Sequence, residues 1–297
     1  MGLLSEQPNV VLSSEQLEKF QTEGCLAVPN FLSEEDVEML KASCHQLVEE
    51  MDPEKHSHTI FSTTHNEETK SEYFLNSGDK VRFFFEQEAV DNVGNLKVNK
   101  HFALNKIGHA LHWFVPEFKK VSFSDKMKAT AKQLGFISPA VVQSMYIFKQ
   151  PGIGGEVLAH KDCTFLSTEP QSCIGFWFAL EDVTLENGCL WYSPGSHKTP
   201  TQRRYIRNPK KGEALTIFTS PPDPDDDLNY VPVLVPKGSL VLINGQVNHK
   251  SAKNTSSKSR HIYTFHVIER HNAQWDPRNW LQPTPDMPFT GLYENSP

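Results

Sequence analysis

Two hydrophobic regimes meet near residue 138: apolar side chains recur at helical spacing before it and in short extended runs after it. Ser14 caps a short helix carrying Leu17 and Phe20, Gly24 ends it, and residues 25–32 then read as extended. Ser33 with Asp36 three places on resembles a capping box, and Val37, Leu40, Cys44, Leu47 and Met51 follow at helical spacing until Pro53. A helix with one buried face is expected there. Residues 53–70 are rich in His, Thr, Ser and Glu without an apolar period, the profile of a solvated insertion, with a lid as the alternative. A short strand is expected at 81–85, a turn across 92–97 around Gly94-Asn95, and a helix over 105–114. The next helix starts at a Ser124 cap, aligns Met127, Ala131 and Leu134 on one face and stops at Gly135.

Beyond Pro139 the apolar runs fall at 141–148, 174–180, 189–192, 231–234, 240–243 and 262–268, separated by Gly, Pro and Asn clusters. This is a mainly β fold with flanking helices, its strands closed as a barrel or two-sheet roll. All-β folds often exceed two hundred residues undivided, so one domain over 1–297 is expected. It has a helix-rich part to about 138, a β core over about 139–270 and a C-terminal tail.

Composition narrows the partners. With 29 basic and 36 acidic residues the net charge is −7, which gives no general attraction for nucleic acid or an anionic membrane. No stretch of eighteen apolar residues occurs, the N-terminus lacks a secretory layout, and the final residues are no peroxisomal signal, so a cytoplasmic location is expected. Five cysteines (Cys25, Cys44, Cys163, Cys173, Cys189), odd in number and without C-x-x-C spacing, predict reduced, mostly buried thiols.

Candidate chemistry lies in the β half. His160 and Asp162 are two apart, so on an extended strand imidazole and carboxylate point to one face and can share an ion. His-x-Asp alone is a common chance pair. His249, just after the apolar run 240–243, supplies a third ligand and completes a two-His, one-carboxylate triad suited to non-haem ferrous iron. Arg260 follows on the next strand, 259–269, and can grip the distal carboxylate of a dicarboxylate whose keto-acid end chelates the metal. Metal and arginine together predict a 2-oxoglutarate site. Asp162 points to hydroxylation rather than halogenation, which needs a small residue there.

Other residues look chemical and read as structure. His197 sits in a Pro-Gly-Ser turn; His56 and His58 lack a third ligand; His266 can point inward, but the triad is complete without it; Gly152, Gly154 and Gly155 suit a bend rather than a phosphate cradle. Lys198, Arg203, Arg204, Arg207, Lys210 and Lys211 form a cationic run without an acidic residue. It reads as a solvated rim loop, with an anion clamp for a small, anionic substrate as the alternative.

Several longer motifs carry a resemblance: SGDKVRFFF at 77–85, NKIGHALH at 105–112, QSMYIFKQP at 143–151, GGE at 154–156, ENGCLW at 186–191, PGSH at 194–197, and the segments around His160 and from His249 to Arg260. Together they make the chain resemble the phytanoyl-CoA dioxygenase family. The resemblance implies a double-stranded β-helix, a jelly-roll core, with His160, Asp162 and His249 on Fe(II). It also implies 2-oxoglutarate contacts at Lys106, Met145, Trp177, Ser251 and Arg260. The expected reaction consumes O2 and 2-oxoglutarate, with ascorbate as a supporting reductant, and hydroxylates a small molecule with release of succinate and CO2. Two alternatives stand beside it, an acyl-CoA 2-hydroxylase of the family's namesake type and a non-catalytic 2-oxoglutarate-binding protein.

Overall fold

A computed structural model describes residues 10–53, 71–91, 95–224 and 227–294. Helix α1 (Ser14–Glu23) is capped one residue earlier than expected: Ser13 Oγ accepts the Gln16 N–H, and Gln16 Oε1 accepts the Ser13 N–H in return. Gly24 ends it at φ 79°, where a Cβ would lie 2.3 Å from the Val247 side chain, so only glycine fits. Strand β1 (Cys25–Val28) leads to α2 (Glu34–Glu50), capped by Ser33 and burying Val37, Leu40, Cys44 and Val48. Val48, rather than Leu47, completes that stripe. Residues 54–70 and Gly94, on which an insertion and a turn were expected, lie outside the described residues. Val90 and Leu96 nevertheless bridge on either side of the expected turn.

The remaining helices are short: α3 (Glu72–Leu75), α4 (Lys100–Ala103), α5 (Leu111–Phe114), α6 (Pro116–Ser122) and α7 (Asp125–Gln133). Ser124 takes the N-cap position of α7 but its hydroxyl makes no cap bond. The helix expected over 105–114 is corrected. Its first part belongs to strand β3 (Leu104–His109), held between β2 (Val81–Phe85) and β4 (Pro139–Ile147), and only Leu111–Phe114 is helical. Two ladders of backbone hydrogen bonds outweigh one isolated short helix, which is costly to nucleate.

Downstream strands are β5 (Val157–His160), β6 (Thr168–Glu169), β7 (Ile174–Ala179), β8 (Leu190–Tyr192), β9 (Tyr205–Arg207), β10 (Thr216–Phe218), β11 (Val231–Val233) and β12 (Leu240–Asn244). They end with β13 (His249–Ser251), β14 (Ile262–Glu269), β15 (Gln274–Trp275) and β16 (Thr290–Gly291). The large antiparallel sheet runs β1-β12-β7-β14-β4-β3-β2 with β16 beside β4, and a four-stranded sheet runs β11-β8-β13-β5. Two sheets face each other as a jelly roll, the double-stranded β-helix.

Strand alternation sorts the large sheet into two faces. Its outer face carries Tyr146, Phe176, Phe178, Tyr263 and Phe265, which pack with Leu40, Phe118 and Met127 of the helices. Its inner face brings Trp177, Val241, Ile243 and Ile262 against Leu190, Tyr192 and Val233 of the smaller sheet. By register, Lys106, Met145, Thr264, His266 and Gly175 share that inner face. The fold thus closes one end of the roll with apolar packing and leaves polar side chains facing inward further along.

Candidate active site

His160 ends β5 and His249 begins β13, and the two are direct cross-strand partners with ring centroids 4.2 Å apart. The expectation that His160 and Asp162 share one strand is corrected: the strand stops at His160, and Asp162 opens a 3₁₀ turn. Lys161 between them remains extended, at φ −120° and ψ 130°, which is enough to turn both side chains to one side. Asp162 Oδ1 lies 3.7 Å from Nε2 of His160 and 3.7 Å from Nε2 of His249. One donor atom from each residue falls within 4.8 Å of the others.

Protons are arranged to leave these donors bare. His160 Nδ1 donates to the Leu158 carbonyl at 2.8 Å and His249 Nδ1 donates to the Val247 carbonyl at 3.1 Å. Carbonyls only accept, so each ring carries a proton on Nδ1 and turns Nε2 toward Asp162. Burial, reinforced by the His249 ring, pushes His160 down to about 4, so it is neutral at physiological pH. Burial alone would raise the Asp162 carboxyl, but His249 and then His266 outweigh it and hold it below the usual carboxylate range. The group is an ionised carboxylate facing the Nε2 atoms of two histidines.

His266 is the residue that sequence reasoning set aside. Gln143 Nε2 donates to His266 Nδ1 at 3.3 Å, which leaves the proton on Nε2, 3.3 Å from Asp162 Oδ2. One carboxylate oxygen is therefore held by His266 while the other faces the histidine pair. Gly175 makes room, since a Cβ there would sit 3.3 Å from Asp162 Oδ2. Alternation along β14 shows that His266 faces inward; nothing local names its partner.

Arg260 lies just before β14, not within it, because the ladder starts at Ile262. Its guanidinium is 3% exposed, donates to the Gly188 carbonyl at 2.9 Å and sits 5.4 Å from the Trp177 ring centroid. Burial pulls it down to about 10, still a cation at neutral pH. Its buried Nε has no hydrogen-bond partner among the described residues. Trp177 and Met145 share the inner face with Lys106, whose ammonium lies 5.3 Å from the Phe84 ring. Ser251 is two residues beyond His249 on β13, and its hydroxyl accepts from Lys149 Nζ at 3.0 Å. Lys106, Met145 and Trp177 thus share one sheet face with His266, Arg260 stands beside Trp177, and Ser251 joins His249 on β13 and adds Lys149.

Other candidates lie away from this cluster or outside the described residues. His197 Nε2 donates to the Gln21 carbonyl at 3.1 Å and ties the Pro-Gly-Ser turn to α1. His56 and His58 lie outside the described residues. In the cationic run, Arg203 donates to Ser220 O at 2.9 Å, Arg204 to Thr201 O at 3.0 Å and Arg207 to Trp280 O at 2.9 Å. These guanidinium groups staple the β9–β10 hairpin to its surroundings. All five cysteines are free and buried, and among the described residues no helix is long and apolar enough to cross a membrane.

Known proteins align with this geometry. The phytanoyl-CoA dioxygenase (PhyH) family profile matches residues 20–262. Phytanoyl-CoA dioxygenase domain-containing protein 1 of Danio rerio is 49% identical over 288 residues, 95% of this chain and 99% of that protein. A phytanoyl-CoA dioxygenase of Arabidopsis thaliana is 44% identical over 271 residues, 91% and 94% of the two chains. Among solved structures, the non-heme alpha ketoglutarate dependent carbocyclase SnoK from nogalamycin biosynthesis shares the fold at TM-score 0.63 and 20% identity, covering 94% of this chain and 96% of its own. EctD from S. alaskensis, solved with 2-oxoglutarate and 5-hydroxyectoine, shares it at TM-score 0.59 and 16% identity, covering 91% and 80%. A chain that fits the family profile over most of its length, and keeps close to half its residues in end-to-end alignment with such relatives, belongs to the phytanoyl-CoA dioxygenase family.

Proposed function

We propose that this protein is an Fe(II)- and 2-oxoglutarate-dependent dioxygenase that hydroxylates a small organic substrate and releases succinate and CO2. One observation carries the reading: two imidazole Nε2 atoms, each on a ring whose Nδ1 is tied to a backbone carbonyl, and an ionised carboxylate converge on one point inside the roll. That donor set suits a non-haem ferrous ion and fills only half of an octahedron. The iron ligands are His160, Asp162 and His249.

Arg260 supplies the second half of the fit. Its buried Nε without a partner matches a charge-assisted pair with the far carboxylate of 2-oxoglutarate. We assign Lys106, Met145, Trp177 and Ser251 to the walls of the same pocket. When bound, ferrous iron and 2-oxoglutarate would let O2 be activated so that one oxygen atom enters a substrate C–H bond and the other leaves in succinate as CO2 is lost. The chain's own share is to hold and exclude. His266 fixes one oxygen of Asp162, the backbone carbonyls of Leu158 and Val247 fix both imidazole tautomers, and the apolar packing of Ile262, Leu190 and Val241 keeps water from one side.

The test is succinate formation by purified protein given Fe(II), ascorbate, 2-oxoglutarate and O2, with a cell metabolite extract as substrate pool. Wild type should form succinate and shift one metabolite by the mass of an oxygen atom, while the His160→Ala variant does neither. A wild type that binds 2-oxoglutarate yet forms no succinate with any extract would favour a non-catalytic binding protein.

A further inference from the structure

We propose that Lys149 is a second cationic anchor for the distal carboxylate of the dicarboxylate cosubstrate, acting beside Arg260 and across the Ser251 hydroxyl. The proposal rests on the 2-oxoglutarate reading above and extends it to a side chain that neither motif spacing nor family resemblance selected.

Lysine is almost never fully buried, yet Lys149 is only 2% exposed, on a left-handed backbone at φ 43° just after β4. Its ammonium donates to Ser251 Oγ at 3.0 Å and to the Gly155 carbonyl at 2.5 Å. Ser251 alternates with His249 on β13, so the lysine tip lies on the face that carries the metal-ligand histidine. Gly188 links the two cations: its carbonyl accepts from Arg260, and a Cβ on it would come 2.7 Å from Lys149 Cε. The glycine leaves room for the lysine stem.

Charge balance supplies the reason for an anion. Burial, then the neighbouring Arg260, push the Lys149 ammonium well below its ordinary range. The opposing carboxylates are Glu86 and then Glu156; Glu86 accepts the Gly155 N–H at 3.1 Å, and its Oε1 is buried without a hydrogen-bond partner among the described residues. Burial pushes Glu86 up to about 7, so near neutral pH it is only partly ionised and compensates the Lys149–Arg260 pair incompletely. A carboxylate arriving between Lys149 and Arg260 would relieve their repulsion, and the Ser251 hydroxyl already accepts from Lys149.

The experiment measures binding rather than turnover, by calorimetry without oxygen on protein loaded with Mn(II) in place of Fe(II). It compares 2-oxoglutarate with 2-oxopentanoate, which keeps the keto acid but lacks the distal carboxylate. Lys149→Met should weaken 2-oxoglutarate at least tenfold and leave 2-oxopentanoate unchanged, and Lys149→Arg should retain most of the affinity. Lys149→Gln keeps hydrogen-bond donors without the charge and repeats the comparison should the methionine variant not fold. An equal loss for both ligands, or undiminished 2-oxoglutarate binding, overturns the anchor and makes Lys149 a staple of the Gly155 loop. A wild type that binds the two ligands equally overturns distal anchoring altogether, Arg260 included, and with it the 2-oxoglutarate reading.

Discussion

Asp162 is where three histidines meet: Nε2 of His160 and of His249 stand 3.7 Å from one oxygen, and Nε2 of His266 stands 3.3 Å from the other. Roles divide along that line. Replacing His160, Asp162 or His249 by Ala removes a donor, so each variant should lose succinate formation and bind Fe(II) far more weakly in a metal titration. His266→Ala removes no donor but frees the carboxylate to rotate. Its Fe(II) affinity should fall about 10- to 100-fold while the triad remains; an unchanged titration would show that Asp162 is held well enough without it. On the proposed pairing of Arg260 with the distal carboxylate, Arg260→Ala should cost about 1.5–3 kcal/mol, roughly 10- to 150-fold in 2-oxoglutarate affinity, read by calorimetry. Arg260→Lys should recover only part, because a point charge does not match the fork.

At the scale of elements, the site hangs on two very short strands. β5 and β13 contribute four and three residues; they pair with each other, and β13 alone also pairs with β8. Such strands are stable only as parts of a larger sheet, so ligand geometry is borrowed from the roll. Helices on the outer face stabilise that roll without touching the chemistry. Ser33 Oγ accepts the Asp36 N–H at the start of α2, and Ser33→Ala should cost about 0.5–2 kcal/mol in chemical denaturation. The 2-oxoglutarate affinity of the folded variant should match wild type, since α2 packs on the opposite face of the sheet from Trp177 and Met145; a matching loss of affinity would mean the outer layer tunes the pocket.

The whole molecule carries several buried titratable groups whose signs can be worked out. Burial holds His112 down at about 3 and His261 at about 4, against about 6.5 for an unfolded chain. Their contribution to stability is complete above 6.5 and is lost as pH falls through that window, because the unfolded chain takes up protons that the native protein refuses. Glu86 runs the other way. Raised to about 7 from an unfolded 4.5, it contributes most below 4.5 and loses that contribution as pH rises to 7. The histidines outnumber it, so the thermal midpoint should drop between pH 7 and pH 4. Glu86→Gln should make that acid loss steeper by removing the compensating term, and a profile identical to wild type would remove Glu86 from the balance.

Much of this protein is written locally. Strand alternation and helix spacing fix which residues of α2, β4, β7, β12 and β14 are apolar and which face they share, so the roll and its helical outer layer are readable before any coordinates. The His160–Asp162 pairing is legible from local spacing, whereas His249 meets His160 only when β13 pairs with β5. Segment 105–110 is different, because its spacing allows a helix and only the neighbouring β2 and β4 make the strand cheaper. The cationic run shows its charges in sequence, but the carbonyls of Ser220, Thr201 and Trp280 that occupy Arg203, Arg204 and Arg207 come from packing. His266 and Lys149 belong with these. Their partners Asp162 and Ser251 lie about a hundred residues away, and periodicity records which side of the chain is buried but not which distant group waits there, a choice made only when sheets pair and close.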